Sequence, residues 1–98
     1  MTEPKIDVVR NDQADRYEIH VDGELSGFTA IEVEPDATVM PHTEIDGKFE
    51  GRGLSKVLIQ RALDDLRSRG DKIVPTCPAV ARFINKHPEY ADLVTARS

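Results

Sequence analysis

EGRGLSK, residues 50–56, is the stretch that decides the fold. Segments with strand character precede it, and the longest helical pattern of the chain follows it. Two glycines at a strand-to-helix junction let the backbone approach a bulky anion. The first amides of the helix lack partners within the helix, and with the positive end of the helix dipole they favour a phosphate group. The stretch alone is compatible with a plain turn as well as with a phosphate site, so the rest of the chain has to decide between them.

The main predicted helix runs from Leu54 to Arg69. Its apolar residues recur with the helical period of 3.6 and fall on one broad face. They are Leu58, Ile59, Ala62, Leu63 and Leu66. Gly70 is a suitable C-terminal cap. Asp64 and Asp65 fall on the outer side, where we expect them to be solvated.

Strands are predicted on both sides of this helix. Alternating apolar residues and turn-prone pairs such as Asp22-Gly23 indicate an antiparallel meander before it. The strands of the meander are Ile6–Val9, Tyr17–Val21, Leu25–Glu34 and Thr38–Ile45. A further strand, Asp71–Val74, follows the helix, and the strand-helix-strand succession places it parallel to Thr38–Ile45.

A second helix closes the predicted fold. Pro78 opens it at the first helical position, where proline is favoured. Its buried stripe is Val80, Phe83 and Ile84, and the residues expected to fold back on the core behind it are Tyr90, Leu93 and Val94. The fold class is therefore α+β, with a mixed sheet of about five strands and two helices.

Pro41 stands in the middle of the strand predicted for Thr38–Ile45. It has no N–H to donate to a sheet, so it belongs to an edge strand or to a bulge. An edge strand would need no functional explanation, whereas a bulge would open the sheet for a ligand. The sequence leaves both interpretations open.

The composition limits the classes of protein to which the chain can belong. Its 98 residues suit a single domain, 1–98, with one modest core. A net charge of −5 argues against a general nucleic-acid binder, which is normally basic. Cys77 is the only cysteine, which excludes an intramolecular disulfide and a multi-cysteine metal site, so we predict no metal. The sequence shows no signal peptide and no membrane span, and we expect a cytoplasmic protein without a membrane partner.

Five short motifs resemble one protein family. They are HTEI (residues 42–45), FEGRGL (49–54), ALDD (62–65), VPTCP (74–78) and HPEY (87–90). Their order and spacing are similar to those of the GNAT-type N-acetyltransferases, and most of all to the minimal YjdJ-type, or NATD1-like, branch of that family. The motifs span residues 42–90, about half of the chain, and the residues before them agree mainly in their strand pattern.

The resemblance implies acetyl-CoA as the co-substrate and an amine as the acceptor. In this family the pyrophosphate of CoA lies on the loop that opens the central helix, and the pantetheine arm lies where the flanking strands diverge. The residues expected to contact CoA are Glu44, Ile45, Gly51, Arg52, Gly53, Leu54, Ser55 and Lys56. Full-size members carry helices that cover the acceptor, and the short connection between Val9 and Tyr17 leaves no room for them. The acceptor side should therefore be open to a large or flexible substrate.

Cys77 and His42 are the candidate catalytic residues. Cys77 precedes Pro78 at the start of the second helix, where the helix dipole should lower the pKa of a thiol. It is a candidate nucleophile or a candidate acid for the leaving CoA thiol, and a cysteine that merely packs in the core is the alternative. His42 shares a strand face with Glu44, and histidine changes its charge in the pH range that a general base requires. The alternative for His42 is a hydrogen-bonded histidine on the sheet surface.

Three functions are compatible with these features. The first is an acetyl-CoA-dependent N-acetyltransferase, which needs a competent Cys77 or His42 as well as the loop at residues 51–56. The second is a non-catalytic acyl-CoA-binding or sensor module, which needs the loop alone. The third is a small interaction domain without a cofactor. Binding of CoA separates the third function from the other two.

Overall fold

The first part of the chain forms an antiparallel sheet. The computed structural model describes residues 3–95 and places four strands side by side in the order β1 (Ile6–Asn11), β2 (Arg16–Val21), β3 (Glu24–Ala30) and β6 (Thr43–Ile45). Each neighbouring pair is antiparallel. Asp22 and Gly23 join β2 to β3 with φ values of 50° and 82°, as a two-residue hairpin turn requires. The predicted hairpin is confirmed.

A second, smaller sheet continues the fold. It consists of β4 (Glu32–Val33), β5 (Thr38–Val39) and β7 (Ile73–Val74). The β4–β5 pair is antiparallel, and the β5–β7 pair is parallel. The parallel pairing of the strands on either side of the main helix is therefore confirmed.

The predicted long strand around Pro41 is wrong as a continuous element, because the chain changes partners there. The N–H of Met40 donates to the carbonyl of Val74 at 3.0 Å, whereas the carbonyl of His42 accepts from Ala30 at 2.7 Å. Pro41 lies between these two bonds and has no N–H to give to either sheet. The predicted strand Leu25–Glu34 is likewise interrupted, at the residue between β3 and β4. Beyond Met40 the chain leaves β7, so the two sheets diverge.

The two α-helices are α1 (Leu54–Ser68) and α2 (Pro78–Lys86), with 3-10 helices at Gly47–Phe49 and Pro88–Leu93. The predicted apolar faces of both α-helices are buried. Tyr90 and Leu93 also join the core, but the Val94 side chain is exposed. An α+β fold with a mixed sheet and two helices is thus confirmed. No helix among the described residues is long and apolar enough to cross a membrane.

Asp64 and Asp65 lie on the outer side of α1, as predicted, but they are not merely solvated, because both are hydrogen-bonded. The hydroxyl of Tyr17 donates to Asp65 at 2.5 Å, and the hydroxyl of Tyr90 donates to Asp64 at 2.7 Å. Asp65 also accepts from Arg69 at 2.7 Å. These bonds attach α1 to β2 on one side and to the last 3-10 helix on the other.

One face of the four-stranded sheet packs against the helices. Tyr17, Thr29 and Thr43 are cross-strand neighbours and therefore share this face. Tyr17 reaches Asp65 of α1, and Thr43 meets the sulfur of Cys77 at the start of α2 at 3.5 Å.

The opposite face, which we call the open face, carries the alternate residues. Glu18, Phe28 and Glu44 form a cross-strand row there. Because the turn between β1 and β2 is confined to residues 12–15, the chain inserts no helix there to cover this face.

Candidate functional site

The loop before α1 is built to expose its backbone. Gly51 and Gly53 have φ values of 81° and 72°, a left-handed conformation that favours glycine. Gly53 is the N-cap of α1, and no side chain caps the first turn. A Cβ atom at either glycine would meet no protein atom within 4 Å, so both face open space. The amides at the start of α1 are therefore available to a ligand.

A groove of about 220 Å³ lies between the first turns of α1 and the outer side of α2. The residues that line it are Ser55, Lys56, Ile59, Ala79, Arg82, Phe83, Lys86 and His87. Phe83 and His87 stack with ring centroids 4.2 Å apart and give the groove a flat aromatic wall. His87 is also the C-terminal cap of α2, as its sequence position before Pro88 suggests.

Several cationic side chains of the groove have no ion-pair partner among the described residues. Elsewhere, ion pairs with carboxylates engage Arg10, Arg16, Lys48, Arg67 and Arg69. Among the described residues, no ion pair or side-chain hydrogen bond engages Lys56, Arg82 or Lys86. Arg52 in the adjoining loop likewise has no ion pair among residues 3–95, and its guanidinium lies 5.2 Å from the centre of the Phe49 ring. In a chain of net charge −5, this concentration favours an anionic ligand.

The opening between β6 and β7 exposes part of a strand edge. His42 and Asp46, at the two ends of β6, bond through their backbones to β3. Glu44 lies two residues from each of them, and alternate residues of a strand direct their N–H and C=O groups to the same neighbour, so the backbone of Glu44 also faces β3. The N–H and C=O groups of Thr43 and Ile45 face the opening. Glu44 and Ile45 were both predicted to contact CoA. The backbone N–H and C=O groups of Ile45 face the opening, whereas those of Glu44 face β3 and its side chain lies on the open face.

Cys77 lies at the inner end of this opening. The residue is 4% exposed, and its N–H donates to the carbonyl of Met40 at 2.9 Å. Burial alone would raise the pKa of the thiol, but hydrogen bonds from Thr43 and from the N–H groups of Val80 and Ala79 lower this pKa below its usual value. The direction of this shift agrees with the position of Cys77 at a helix start.

His42 and Glu44 lie on the open face, away from Cys77. The Nε2 atom of His42 is 3.4 Å from the Oε2 atom of Glu44, and both side chains are 60% exposed. The ring of His42 also lies 6.0 Å from that of Phe28. The structure therefore brings His42 together with Glu44 but not with Cys77, because His42 and Thr43 point to opposite sides of the sheet.

Sequence reasoning missed the contribution of α2 to the groove. Arg82 and Lys86 are four residues apart on one helix face, a spacing that the sequence displays. The sequence does not reveal that this face borders the first turn of α1. Among residues 3–95, no group of three or more His, Cys, Asp or Glu side chains is arranged to hold a metal ion.

Comparison with known proteins identifies the family. Residues 16–93 match the family described as GCN5-related N-acetyl-transferase. Because this match covers most of the chain, the protein belongs to the GCN5-related N-acetyltransferase family. None of the curated protein sequences matches it.

Solved structures share the fold. The ribosomal-protein-S18-alanine N-acetyltransferase from Escherichia coli is similar with a TM-score of 0.63 and 16% identity, over 80% of this chain and 54% of that enzyme. A GCN5-like protein from Staphylococcus aureus gives 0.67 and 16%, over 94% and 90% of the two chains. The ribosomal-protein-alanine N-acetyltransferase from Brucella melitensis gives 0.54 and 26%, over 85% and 62%. This chain thus spans little more than half of the Escherichia coli enzyme, and the likeness to the first two structures concerns the fold.

Proposed function

We propose that this protein is an acetyl-CoA-dependent N-acetyltransferase of the minimal YjdJ-type branch, which transfers an acetyl group to an amine. The observation that carries this proposal is the groove beside the start of α1. Cations without internal partners gather there in an otherwise acidic chain, next to the uncapped amides of a helix. CoA carries several phosphate negative charges, and this combination suits it.

Different residues in and beside the groove would hold different parts of CoA. The amides of residues 53–56 would hold the pyrophosphate, with Arg52 and Lys56 beside them. Arg82 and Lys86 would meet the remaining phosphate on the outer side of α2. The free backbone edge at Ile45 would bond an amide of the pantetheine arm.

Acetyl-CoA would supply a thioester whose acetyl group an amine can accept. On the open face, His42 would take a proton from the amine, and Glu44 at 3.4 Å would orient the imidazole. On the helix side, Cys77 would donate a proton to the leaving sulfur of CoA. Its 4% exposure and its separation from His42 favour this acid role over direct attack by its own sulfur.

The same separation favours a second candidate, a non-catalytic acyl-CoA-binding module. Such a module needs the groove and the loop but no cooperation between Cys77 and His42. Incubation with labelled acetyl-CoA and a panel of amines distinguishes the two functions. Label on an amine supports the enzyme, whereas CoA binding without any transfer supports the module.

Calorimetry with CoA tests the groove itself. Lys86→Gln removes one groove cation, and Lys5→Gln removes one exposed cation outside the groove. Because exposed ion pairs contribute up to about 1 kcal/mol, we expect Lys86→Gln to weaken CoA binding about threefold to fivefold. Lys5→Gln should leave the affinity near that of the wild type, and an equal loss in both variants would refute the assigned site.

A further inference from the structure

β1 forms one edge of the four-stranded sheet, and within residues 3–95 its only strand partner is β2. The carbonyl of Lys5 accepts the N–H of Asp22 at 2.8 Å, so the backbone of Lys5 faces β2. Because alternate residues of a strand direct their N–H and C=O groups to the same neighbour, Val9 also faces β2, whereas Val8 and Arg10 face outward. β1 therefore presents a regular row of backbone donors and acceptors on its outer side.

We propose that β1 pairs with β1 of a second copy of this chain, in antiparallel orientation and with the two-fold axis at Val9. The two four-stranded sheets then become one sheet, with β1 of each copy at its centre. Val8 of each copy would exchange backbone hydrogen bonds with Arg10 of the other. This inference does not depend on the proposed function.

Val9 is the apolar residue that this pairing would bury. It is 47% exposed and lies on the open face, opposite Glu18 of β2. Because the backbone of Val9 faces β2, the two Val9 residues would form a pair without hydrogen bonds between them, the type in which side chains approach most closely. The pairing thus removes an exposed valine side chain from water.

Arg61 of α1 argues against the neighbouring register, in which the axis would lie at Val8. The guanidinium of Arg61 donates to the carbonyl of Ile6 at 3.0 Å. An axis at Val8 would place Ile6 opposite Arg10 of the second copy. That register would use the same carbonyl and would bring the guanidinium groups of Arg61 and Arg10 together, which like charges disfavour.

The register centred on Val9 brings opposite charges together instead. It places Ile6, and with it Arg61, beside Asp12 of the second copy. Arg61 forms no ion pair within the described part of the chain. The Asp12 side chain accepts from Arg10 at 2.7 Å and is still 74% exposed. The two-fold axis produces this contact twice, and complementary charges of this kind fix the register of an interface.

The open face adds a second complementary contact. In the same register Asp7 lies opposite Asn11 of the second copy. The amide nitrogen of Asn11 carries two hydrogens, and it donates one of them to Glu18 at 3.1 Å. The other hydrogen would be donated to the Asp7 carboxylate, which forms no ion pair with any residue that the structure describes.

Sedimentation velocity over a series of protein concentrations tests the pairing. β1 has six residues, so the interface is small, and interfaces that bury less than about 1,200 Å² are typical of weak complexes. We therefore expect a monomer in dilute solution and a dimer as the concentration approaches about 1 mM. A wild-type protein that stays monomeric at that concentration would overturn the proposal.

Two matched variants locate the interface. Val9→Lys places like charges directly opposite each other across the axis and should raise the dissociation constant of the dimer at least about fivefold. Within one copy the substituted side chain lies opposite Glu18, so the fold should be retained. Val33→Lys changes a valine of β4 that is 59% exposed and lies outside the pairing, and it should dimerise as the wild type does. Equal dissociation constants for the two variants would contradict the assigned interface.

Cysteine cross-linking tests the register, in a Cys77→Ala background that lacks the native thiol. Opposite residues of a pair without hydrogen bonds have Cα atoms about 4.5 Å apart, within the range of a disulfide. Val9→Cys should therefore oxidise to a covalent dimer. Val8→Cys should not, because the axis sets Val8 opposite Arg10 of the second copy. Val33→Cys measures random collision at an exposed site.

Two results of this experiment would refute the reasoning. Faster cross-linking of Val8→Cys than of Val9→Cys would show that the axis lies at Val8. Equal cross-linking of Val9→Cys and Val33→Cys would show that the covalent dimers arise from collision and not from paired strands.

Discussion

Gly53→Val provides a decisive test of the phosphate site, because the same helix supplies a matched control. Gly53 begins α1 with a φ of 72°, and Gly70 follows its end with a φ of 74°. A Cβ atom at either position would meet no protein atom within 4 Å. Valine at either site therefore costs backbone strain alone, roughly 1–2 kcal/mol. Both variants should lose a similar free energy of unfolding and remain folded.

The two variants should differ in their affinity for CoA. At Gly53 the valine side chain would project into the space in front of the first amides of α1. It would hold the pyrophosphate away from these donors, and we expect CoA binding to weaken at least about tenfold, or ~1.4 kcal/mol. Gly70 lies at the other end of the helix, where carbonyl groups are exposed, so Gly70→Val should bind CoA as the wild type does.

Urea unfolding measures the strain, and isothermal calorimetry with CoA measures the affinity. The free energies of unfolding of the two variants should agree, which isolates the effect at the binding site from any loss of stability. A folded Gly53→Val protein with wild-type affinity would refute the placement of the pyrophosphate. Equal weakening in Gly70→Val would show that strain in α1, and not the blocked amides, controls binding.

Three further predictions concern the sheet, the α1 contacts and the thiol. A Cβ atom at Gly27 would lie 2.6 Å from the carbonyl oxygen of Glu44, so Gly27→Ala should lower the free energy of unfolding in urea by about 1–3 kcal/mol. Burial raises the pKa of Asp65, but hydrogen bonds from Tyr17 and Arg69 outweigh it and hold this pKa below its usual value. The carboxylate therefore stabilises the fold above its unfolded pKa of about 4, and acid titration should destabilise the wild type more than Asp65→Asn. Cys77→Ala should reduce acetyl transfer at least about 100-fold while CoA affinity stays unchanged. Cys77 would take no part in the reaction if this variant kept full transfer activity and mass spectrometry found no acetyl group on the wild-type thiol.

Local patterns predicted the elements whose formation depends on near neighbours. The apolar face of α1 repeats every three or four residues, and burial of that face confirms it. The Asp22-Gly23 turn needs only its own backbone preference, and the structure has the hairpin there. Pro41 likewise predicted an irregularity in the sheet, because the lack of a backbone N–H is a property of the residue itself.

Properties that depend on distant partners were beyond the sequence. The break at Pro41 arises because Met40 bonds to β7 while His42 bonds to β3. No local pattern specifies that exchange. Asp64 and Asp65 looked solvated because their tyrosine partners lie 26 and 48 residues away, where no local pattern points to them.

Only part of the candidate site could be predicted, because some of its residues meet only through the packing of distant elements. The loop at residues 50–56 carries its own signal, because two glycines with positive φ and an uncapped helix start follow each other directly. Arg82 and Lys86 join that loop only through the packing of α2 beside α1. His42 and Cys77 were both candidate catalytic residues, and the sequence does not show on which side of the sheet each side chain lies. The alternation of β6 separates them, because Thr43 stands between His42 and the thiol.

The cations of the groove should make CoA binding depend on ionic strength. Among the described residues, no ion pair or side-chain hydrogen bond engages Lys56, Arg82 or Lys86, which line the groove. Added salt screens exposed charges. On the proposed function, rising ionic strength should therefore weaken CoA binding, and calorimetric titrations at increasing salt concentration measure this loss. An affinity that stays constant with salt would contradict a role for these three cations in holding the phosphates of CoA.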